Sequence, residues 1–592
     1  MARIGLIDWA VIVLYFVVLF GVASWAILRE RSGREETSSD YFLAGRNVGW
    51  FVVGASLFAS NIGSEHLVGL AGAGASSGLV LGQLEIQASL VLLLLGWVFV
   101  PFYVKSGVFT MPEFLERRYS PAARWYLTVI SVIGYVLTKI SVTIYAGGVV
   151  FEALLGIGFW VGALVVVVTT GIYTIFGGLR AVLYTDLVQA IVLVLGATAV
   201  TVIGLVKVGG VGALAEGAQA GFFDIWKPMS DPAFPWTGLA FGAPVIGIWY
   251  WCTDQFIVQR TLSARGVDQA RRGTIFAGFL KQLPMFIFVL PGVVAYVLAQ
   301  QGQLQLGSAD RALPVMIGTL LPVGLRGLVV AGLLSALMSS LSSVFNSCST
   351  LITWDVYREL RPQASERRLV WVGRVATGAL VVLGLAWIPF MQYISGTLYE
   401  YLQSVQSYIA PPIAAVFLLG VFWKRVNAKG ALASLLVGFV LGMARLGLEL
   451  NKDALGDGGL LFYLADVMFL HVAALLFLVC AAVLVGVSLA TAPPPAEKTR
   501  GLTYGHAGEP VASGNGQASR PETSRPEKRR EEREPVAATA PVPPAASEQP
   551  AASPPPDDPM PEEDDGRDWR QRDLILSVIL VLLVAAIMIA FA

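Results

Sequence analysis

Some fourteen stretches of about twenty predominantly apolar residues recur along this chain, near 8–28, 51–71, 79–103, 125–150, 158–176, 181–206, 238–259, 273–299, 324–353, 369–389, 398–421, 430–449, 462–489 and 573–592. Each is long enough to cross the hydrocarbon of a bilayer as a helix. Hydrocarbon offers no partner to a backbone amide, so segments of this length must satisfy their own hydrogen bonds, and helices follow. With 55% hydrophobic and only 14% charged residues in 592, the chain reads as an all-α integral membrane protein. The formal net charge is zero, which leaves no electrostatic footprint for nucleic acid. Cys252, Cys348 and Cys480 lie inside apolar stretches without metal-ligand spacing and read as small core residues. The first run, Trp9 to Leu28, lacks a basic leader and a small-residue cleavage site, so it is expected to remain as a span.

The loops alternate in charge. Arg29, Arg31, Arg34 and Arg46 follow the first stretch, Lys105, Arg117 and Arg118 the third, and Arg180 the fifth. Arg260, Arg265, Arg271 and Arg272 follow the seventh, Arg358, Arg361, Arg367 and Arg368 the ninth, and Lys424, Arg425 and Lys429 the eleventh. The intervening loops hold only Lys207, Lys227, Arg311 and Lys452. The positive-inside rule places the odd junctions in the cytoplasm and both termini outside. The expected organisation is an N-terminal extra span and cytoplasmic loop (1–50), a transport core (51–421), two additional spans (422–491), a linker (492–572) and a final span (573–592). The linker is rich in Pro, Ala, Ser, Glu and Arg and cannot bury enough apolar surface to fold alone, so it reads as disordered and cytoplasmic.

The second stretch, FVVGASLFASNIGSEHLVGLA, carries Ser60, Asn61, Gly63, Ser64, Glu65 and His66 in its middle. Polar groups at bilayer depth are costly unless they face protein or a watery cavity. Asn61, Gly63 and Ser64 are also weak helix formers, so a break is expected there. A broken helix at midplane frees carbonyls and amides, which is how secondary transporters commonly build a site. Close helix packing through small residues is the plainer alternative.

Other stretches hold polar groups at depth. Glu85 and Gln87 lie in the third, Lys281 in the eighth, and Gln403 and Gln406 in the eleventh. Glu85 and Lys281 invite pairing, either as a stabilising ion pair or as the lining of a polar cavity that recognises hydroxyl groups. In ALMSSLSSVFNS, the hydroxyls of Ser339, Ser340, Ser342 and Ser343 suit a hard cation such as sodium equally as well as they suit ordinary packing. The seventh stretch offers Trp249, Tyr250 and Trp251 beside Thr253, Asp254 and Gln255, aromatic rings that suit a sugar face, a gate or an interfacial belt. It lies five stretches after the second. Two interrupted helices at that separation match a five-plus-five inverted repeat.

On these residues the chain resembles the sodium/solute symporter family, and most of all its sodium/glucose cotransporter branch. The resemblance runs from about Asp40 to Val426 and includes DYFLAGRNVGWFVVGASLFASNIGSEHLVGLAG, GGLRAVLYTDLVQ, WYWCTDQFIVQRTLSA, LPVGLRGLVVAGLLSALMSSLSSVFNS and APPIAAVFLLGVFWKRVN. It implies about fourteen transmembrane helices with a LeuT-type core. It also implies a sodium site of the Ala59, Ile62 and Ala336 carbonyls with the Ser339 and Ser340 hydroxyls. A sugar site of Asn61, His66, Glu85, Tyr250, Trp251, Lys281 and Gln403 follows, with Leu70 and Tyr399 as outer gates and Tyr250 as the inner one. Asp186 in YTDLVQ, with Ser342 and Ser343, outlines a second sodium position. Gly247, Ile86 and Gln406 depart from the family pattern, which leaves the particular hexose open.

The function this implies is sodium-driven symport of a neutral sugar across the plasma (inner) membrane, with no cofactor beyond the co-transported ion. Lipid, sugar and sodium are the partners; the sequence does not address oligomeric state. A polyol such as myo-inositol is an alternative substrate, and a solute sensor on the same scaffold an alternative role. An enzyme is not expected, because the remaining histidines, His471 and His506, join no HExxH or GxSxG pattern.

Overall fold

The computed structural model describes residues 4–30, 37–63, 65–231, 233–391, 398–455, 459–504 and 566–592. By compactness the chain divides into Met1–Ala512 with Asp573–Ala592, and a small unit Ser513–Arg572.

Among the described residues, eleven helices are long and apolar enough to cross a membrane. That number differs from fourteen at three places, each with a physical reason. The second stretch is divided: a helix Trp50–Asn61 ends, Ile62 is extended (φ −77°, ψ 94°), and a wide helical turn Glu65–Leu70 leads into Ala71–Ser77. The seventh is divided too, into Trp236–Phe241, Ala243–Gly247 and Ile248–Thr253, then an extended Asp254 (φ −76°, ψ 125°) and Gln255–Leu262. The fifth and sixth run together as Phe159–Val208, 50 residues with a sharp kink at Gly178. A straight helix of that length would reach about 75 Å, far beyond a bilayer, so the kink is required. Gly178 adopts φ 54°, ψ −157°, and a Cβ there would meet the Tyr41 carbonyl oxygen at 2.4 Å. Only glycine combines that backbone with that approach.

The core is built on close helix pairs. Phe159–Val208 packs along Leu325–Thr350 and along the first helix, Leu6–Glu30; Trp50–Asn61 packs on Val267–Leu280; and Leu398–Phe422 packs on Ala428–Leu450 and Phe469–Ala490. Asp8 of the first helix accepts from the amides of Gly324 (2.7 Å) and Gly327 (3.0 Å), satisfying donors that the start of Leu325–Thr350 leaves open. The two divided helices run in opposite senses. A bridge joins Val48, just before the first of them, to Ala264, just after the second, with Arg265 N donating to the Val48 carbonyl at 3.0 Å.

Two sequence expectations change here. Arg260, counted among the loop charges, lies inside Gln255–Leu262 and is completely buried. The helix resumes after Asp254 and carries the arginine back into the bundle. The stretch expected to be disordered from 492 begins with a docked segment: Leu502 is fully buried and Lys498 donates to the Glu116 carbonyl at 2.9 Å. Thr499 and Thr503 are buried with it, and the Tyr504 ring lies 5.8 Å from that of Phe422, centroid to centroid. Linker residues 505–565 lie outside the described residues.

Candidate functional site

The two breaks face a single cavity of about 100 Å³. Asn61 and His66 reach it from either side of the first break, and Tyr250 and Trp251 from the turn before the second. Glu85 comes from the helix Gly82–Leu94, Lys281 from the end of Val267–Leu280, and Gln403 from Leu398–Phe422. All seven residues of the expected sugar site therefore line one space. Gly247 and Gln406, two of the departures, line it as well, and so do Gln87, Val91 and Phe469. Ile86 is buried and is not part of the lining.

Lys281, Glu85, Asn61, His66 and Tyr250 are linked to one another by polar contacts. Lys281 Nζ pairs with Glu85 Oε2 and donates to Asn61 Oδ1 at 2.5 Å. His66 Nε2 lies 3.2 Å from Glu85 Oε1, and Asn61 Nδ2 donates to the Tyr250 hydroxyl at 3.0 Å. The Lys281 ammonium also sits 5.5 Å from the centroid of the Trp251 ring. Burying a carboxylate and an ammonium costs several kcal/mol each unless they are paired and hydrogen-bonded, and here they are. The result is a set of donors and acceptors adjoining aromatic rings, chemistry that suits a neutral solute with hydroxyls on its edge and C–H groups on its face.

Behind the first break lies a serine-rich seam. Ser340 Oγ donates to the Ser60 carbonyl at 3.1 Å and lies 3.4 Å from that of Ile62, so two expected sodium ligands, Ser340 and Ile62, are neighbours across the break. Ala59 and Ala336 are buried in the same region. Ser339 turns elsewhere: its hydroxyl donates to Asp186 Oδ1 at 2.5 Å. Asp186 Oδ2 accepts from Ser56 (2.5 Å) and Ser60 (3.0 Å). Ser343 donates to Ser60 Oγ at 3.1 Å, whereas Ser342 donates to the Ser339 carbonyl of its own helix at 2.9 Å. Leu70 is buried in the turn after the first break; the side chain of Tyr399 lies outside the described residues.

Two residues of this region were not singled out from sequence. Arg260 donates to Ser60 (2.7 Å) and Ser56 (3.1 Å), contacts Ser343, and stands 3.9 Å from Asp186. Lys139 Nζ, in the fourth stretch, pairs with Asp254 Oδ2 at 2.7 Å. The available signal was Lys139 itself, a single cation amid some two dozen apolar or small residues.

An all-helical membrane bundle in which two opposed, interrupted helices enclose a charged cavity defines a secondary transporter. The chain belongs to the sodium:solute symporter family, whose profile matches residues 41–438. It is 40% identical to sodium/glucose cotransporter 1 of Oryctolagus cuniculus over 531 residues, 82% of this chain and 79% of that protein. It is likewise 40% identical to sodium/glucose cotransporter 4 of Danio rerio (84% and 80% covered) and 38% identical to the sodium/myo-inositol cotransporter of Mus musculus (84% and 75%). Among solved structures, a substrate-bound, outward-open Na+-coupled sialic acid symporter has the same fold, with a TM-score of 0.71 at 23% identity, covering 83% of this chain and 99% of that one. The family is one of transporters, and sodium is its co-transported ion.

Proposed function

We propose that this protein couples the inward movement of sodium to uptake of a neutral hexose of the glucose or galactose type across the plasma (inner) membrane. In this reading residues 51–421 form a LeuT-type five-plus-five core within fourteen spans, with both termini outside. The observation that carries the sugar assignment is the cavity, lined by the polar side chains of Asn61, Glu85, Lys281 and Gln403 together with the rings of Tyr250 and Trp251. Sodium would occupy the first break, on Ala59, Ile62, Ala336, Ser339 and Ser340, and bound sodium would fix Asn61 and His66 toward the sugar. Asp186 with Ser343 would outline the second ion position. A second reading, myo-inositol or a similar polyol, draws support from the sodium/myo-inositol relatives at nearly equal identity.

Radiolabelled uptake into proteoliposomes tests both. D-glucose, D-galactose and myo-inositol are offered with an inward sodium gradient and, separately, an inward potassium gradient. Sodium-dependent, electrogenic uptake of one hexose in preference to inositol is the expected result, since a neutral solute carries no charge to offset the ion and each charge moved across 100 mV is worth about 2.3 kcal/mol. Equal uptake under potassium alone would sink the coupling.

A further inference from the structure

Lys139 stands in a wide helical turn, Val136–Ile140, facing the second break. Its ammonium is surrounded by rings: the centroids of Phe256, Tyr250, Tyr135 and Trp249 lie at 4.1, 4.6, 5.0 and 5.9 Å. Asp254, the extended residue at the break, closes the cage with a 2.7 Å ion pair and is itself buried. One turn before Lys139, the Tyr135 hydroxyl accepts from the Phe256 amide at 3.3 Å. Asp254 Oδ1 accepts from that same amide at 3.2 Å, capping the helix that follows. The fourth stretch therefore grips the break through two polar contacts, Lys139 to Asp254 and Tyr135 to the Phe256 amide. Tyr250, which roofs the cage on one side, binds Asn61 of the sugar cavity on the other.

We infer that Lys139 is a positioning residue for the transport site: its pairing with Asp254 inside the aromatic cage holds Tyr250 against Asn61 and keeps the cavity closed on the side of Arg265, Arg271 and Arg272. The inference rests on the symport reading. An ammonium among aromatic faces is stabilised by the ring quadrupoles as well as by the carboxylate, so the cage prefers a cation at this position over any neutral isostere. Removal of the charge releases the Tyr250 segment and leaves Asp254 unpaired. The closed and open arrangements then differ less in free energy, and the open one gains population.

A small cavity adjoins the cage. It is lined by Tyr135, Thr138, Lys139, Trp249 and Gln406, and Gln406 also lines the sugar cavity.

The test uses the full chain in proteoliposomes with labelled D-glucose, D-galactose and myo-inositol, comparing wild type with Lys139→Arg, Lys139→Met and the double variant Lys139→Met/Asp254→Asn. Expected are a loss of about tenfold in net sodium-driven uptake and a several-fold rise in sodium-free efflux in Lys139→Met, with most coupling restored in Lys139→Arg. The double variant separates positioning from mere stability. Removing both partners relieves the unpaired carboxylate, so folded yield recovers, yet the leak persists. Wild-type coupling in the double variant would overturn the inference, as would unchanged efflux in Lys139→Met. The wild-type arm reports on the sugar reading alone. Should it take up none of the three solutes, Cys252, a buried thiol in the Ile248–Thr253 turn that carries Tyr250, supplies the readout. Maleimide labelling of Cys252, followed by peptide mapping, is expected to quicken several-fold in Lys139→Met if the latch exists, and unchanged labelling overturns it.

Discussion

The bundle holds two ion pairs at depth that look alike in composition and differ in surroundings. Glu85 and Lys281 face a cavity, and Glu85 keeps 8% of its surface exposed; Asp186 and Arg260 are sealed at 0%. The first pair shares its hydrogen bonds with Asn61 and His66, side chains that a solute can borrow. The second is wrapped by Ser56, Ser60, Ser339 and Ser343, which belong to two packed helices. Water can replace a lost partner in the first and cannot in the second. The cavity pair is therefore read as recognition, and the sealed pair as a joint between the helix of the first break and the helices of Asp186 and Ser339, beside which the second ion position is proposed.

The largest expected effect follows directly. Arg260→Met leaves Asp186 buried without its cation, a change that costs about 3 to 5 kcal/mol when one partner of a buried pair is removed. Thermal unfolding of the purified protein should show a marked loss of stability, with low yield. Lys281→Met should cost distinctly less stability, because the cavity admits water to Glu85, while abolishing tight sugar binding. Equal destabilisation by the two substitutions breaks the comparison.

Next come the recognition groups themselves. Glu85→Ala or Gln403→Ala removes a hydrogen-bonding partner from the cavity, and unpaired polar groups against a bound solute cost about 1 to 3 kcal/mol. Calorimetry on folded protein should find sugar affinity reduced ten- to a hundred-fold, roughly the same energy expressed as a ratio. Normal affinity in both variants moves the site elsewhere.

How much of this was legible beforehand follows from what sequence encodes. Asn61, His66, Glu85 and Lys281 could be read because each is a polar residue within an apolar run, and depth alone makes such residues costly. Their meeting at one cavity came from the resemblance. Arg260 was misplaced because a charge ten residues past an aromatic cluster reads as the loop beyond a span; only the extended backbone at Asp254 shows that the helix resumes and carries it inward. Lys139 was passed over although it too is a lone cation in an apolar run; its partner Asp254, 115 residues away, was read only with the aromatic cluster beside it. The serines were correctly seen as a group, but adjacent hydroxyls on a helix diverge by about 100°, so which of them reach Asp186 is a matter of helix rotation.

A sodium-site contrast sharpens the comparison further. Ser340 lies against the Ile62 carbonyl at the first break, so Ser340→Ala should weaken sodium activation of uptake while sugar recognition at saturating sodium is kept. An unchanged apparent sodium affinity would mean that the hydroxyl serves packing.

The smallest effect is expected three residues from Ser339. Ser339 donates directly to Asp186, while Ser342 spends its hydroxyl on the Ser339 carbonyl within its own helix. A serine bonded back to its helix adds little stability, and its loss exposes no new unpaired charge. Ser342→Ala should therefore cost about 1 kcal/mol, the net worth of one ordinary hydrogen bond, and leave sodium activation as it is. Ser339→Ala takes a hydrogen bond from a buried carboxylate, and such bonds to charged groups are worth about 1.5 to 3 kcal/mol. Measuring sodium dependence in the two variants side by side separates two ways of using the seam. If only Ser339→Ala shifts sodium activation, the ion uses Ser339 as proposed and Ser342 serves packing alone. If Ser342→Ala shifts it as strongly, the Ser342 hydroxyl must turn away from its carbonyl during transport and join the ion, and the second ion position then extends to Ser342.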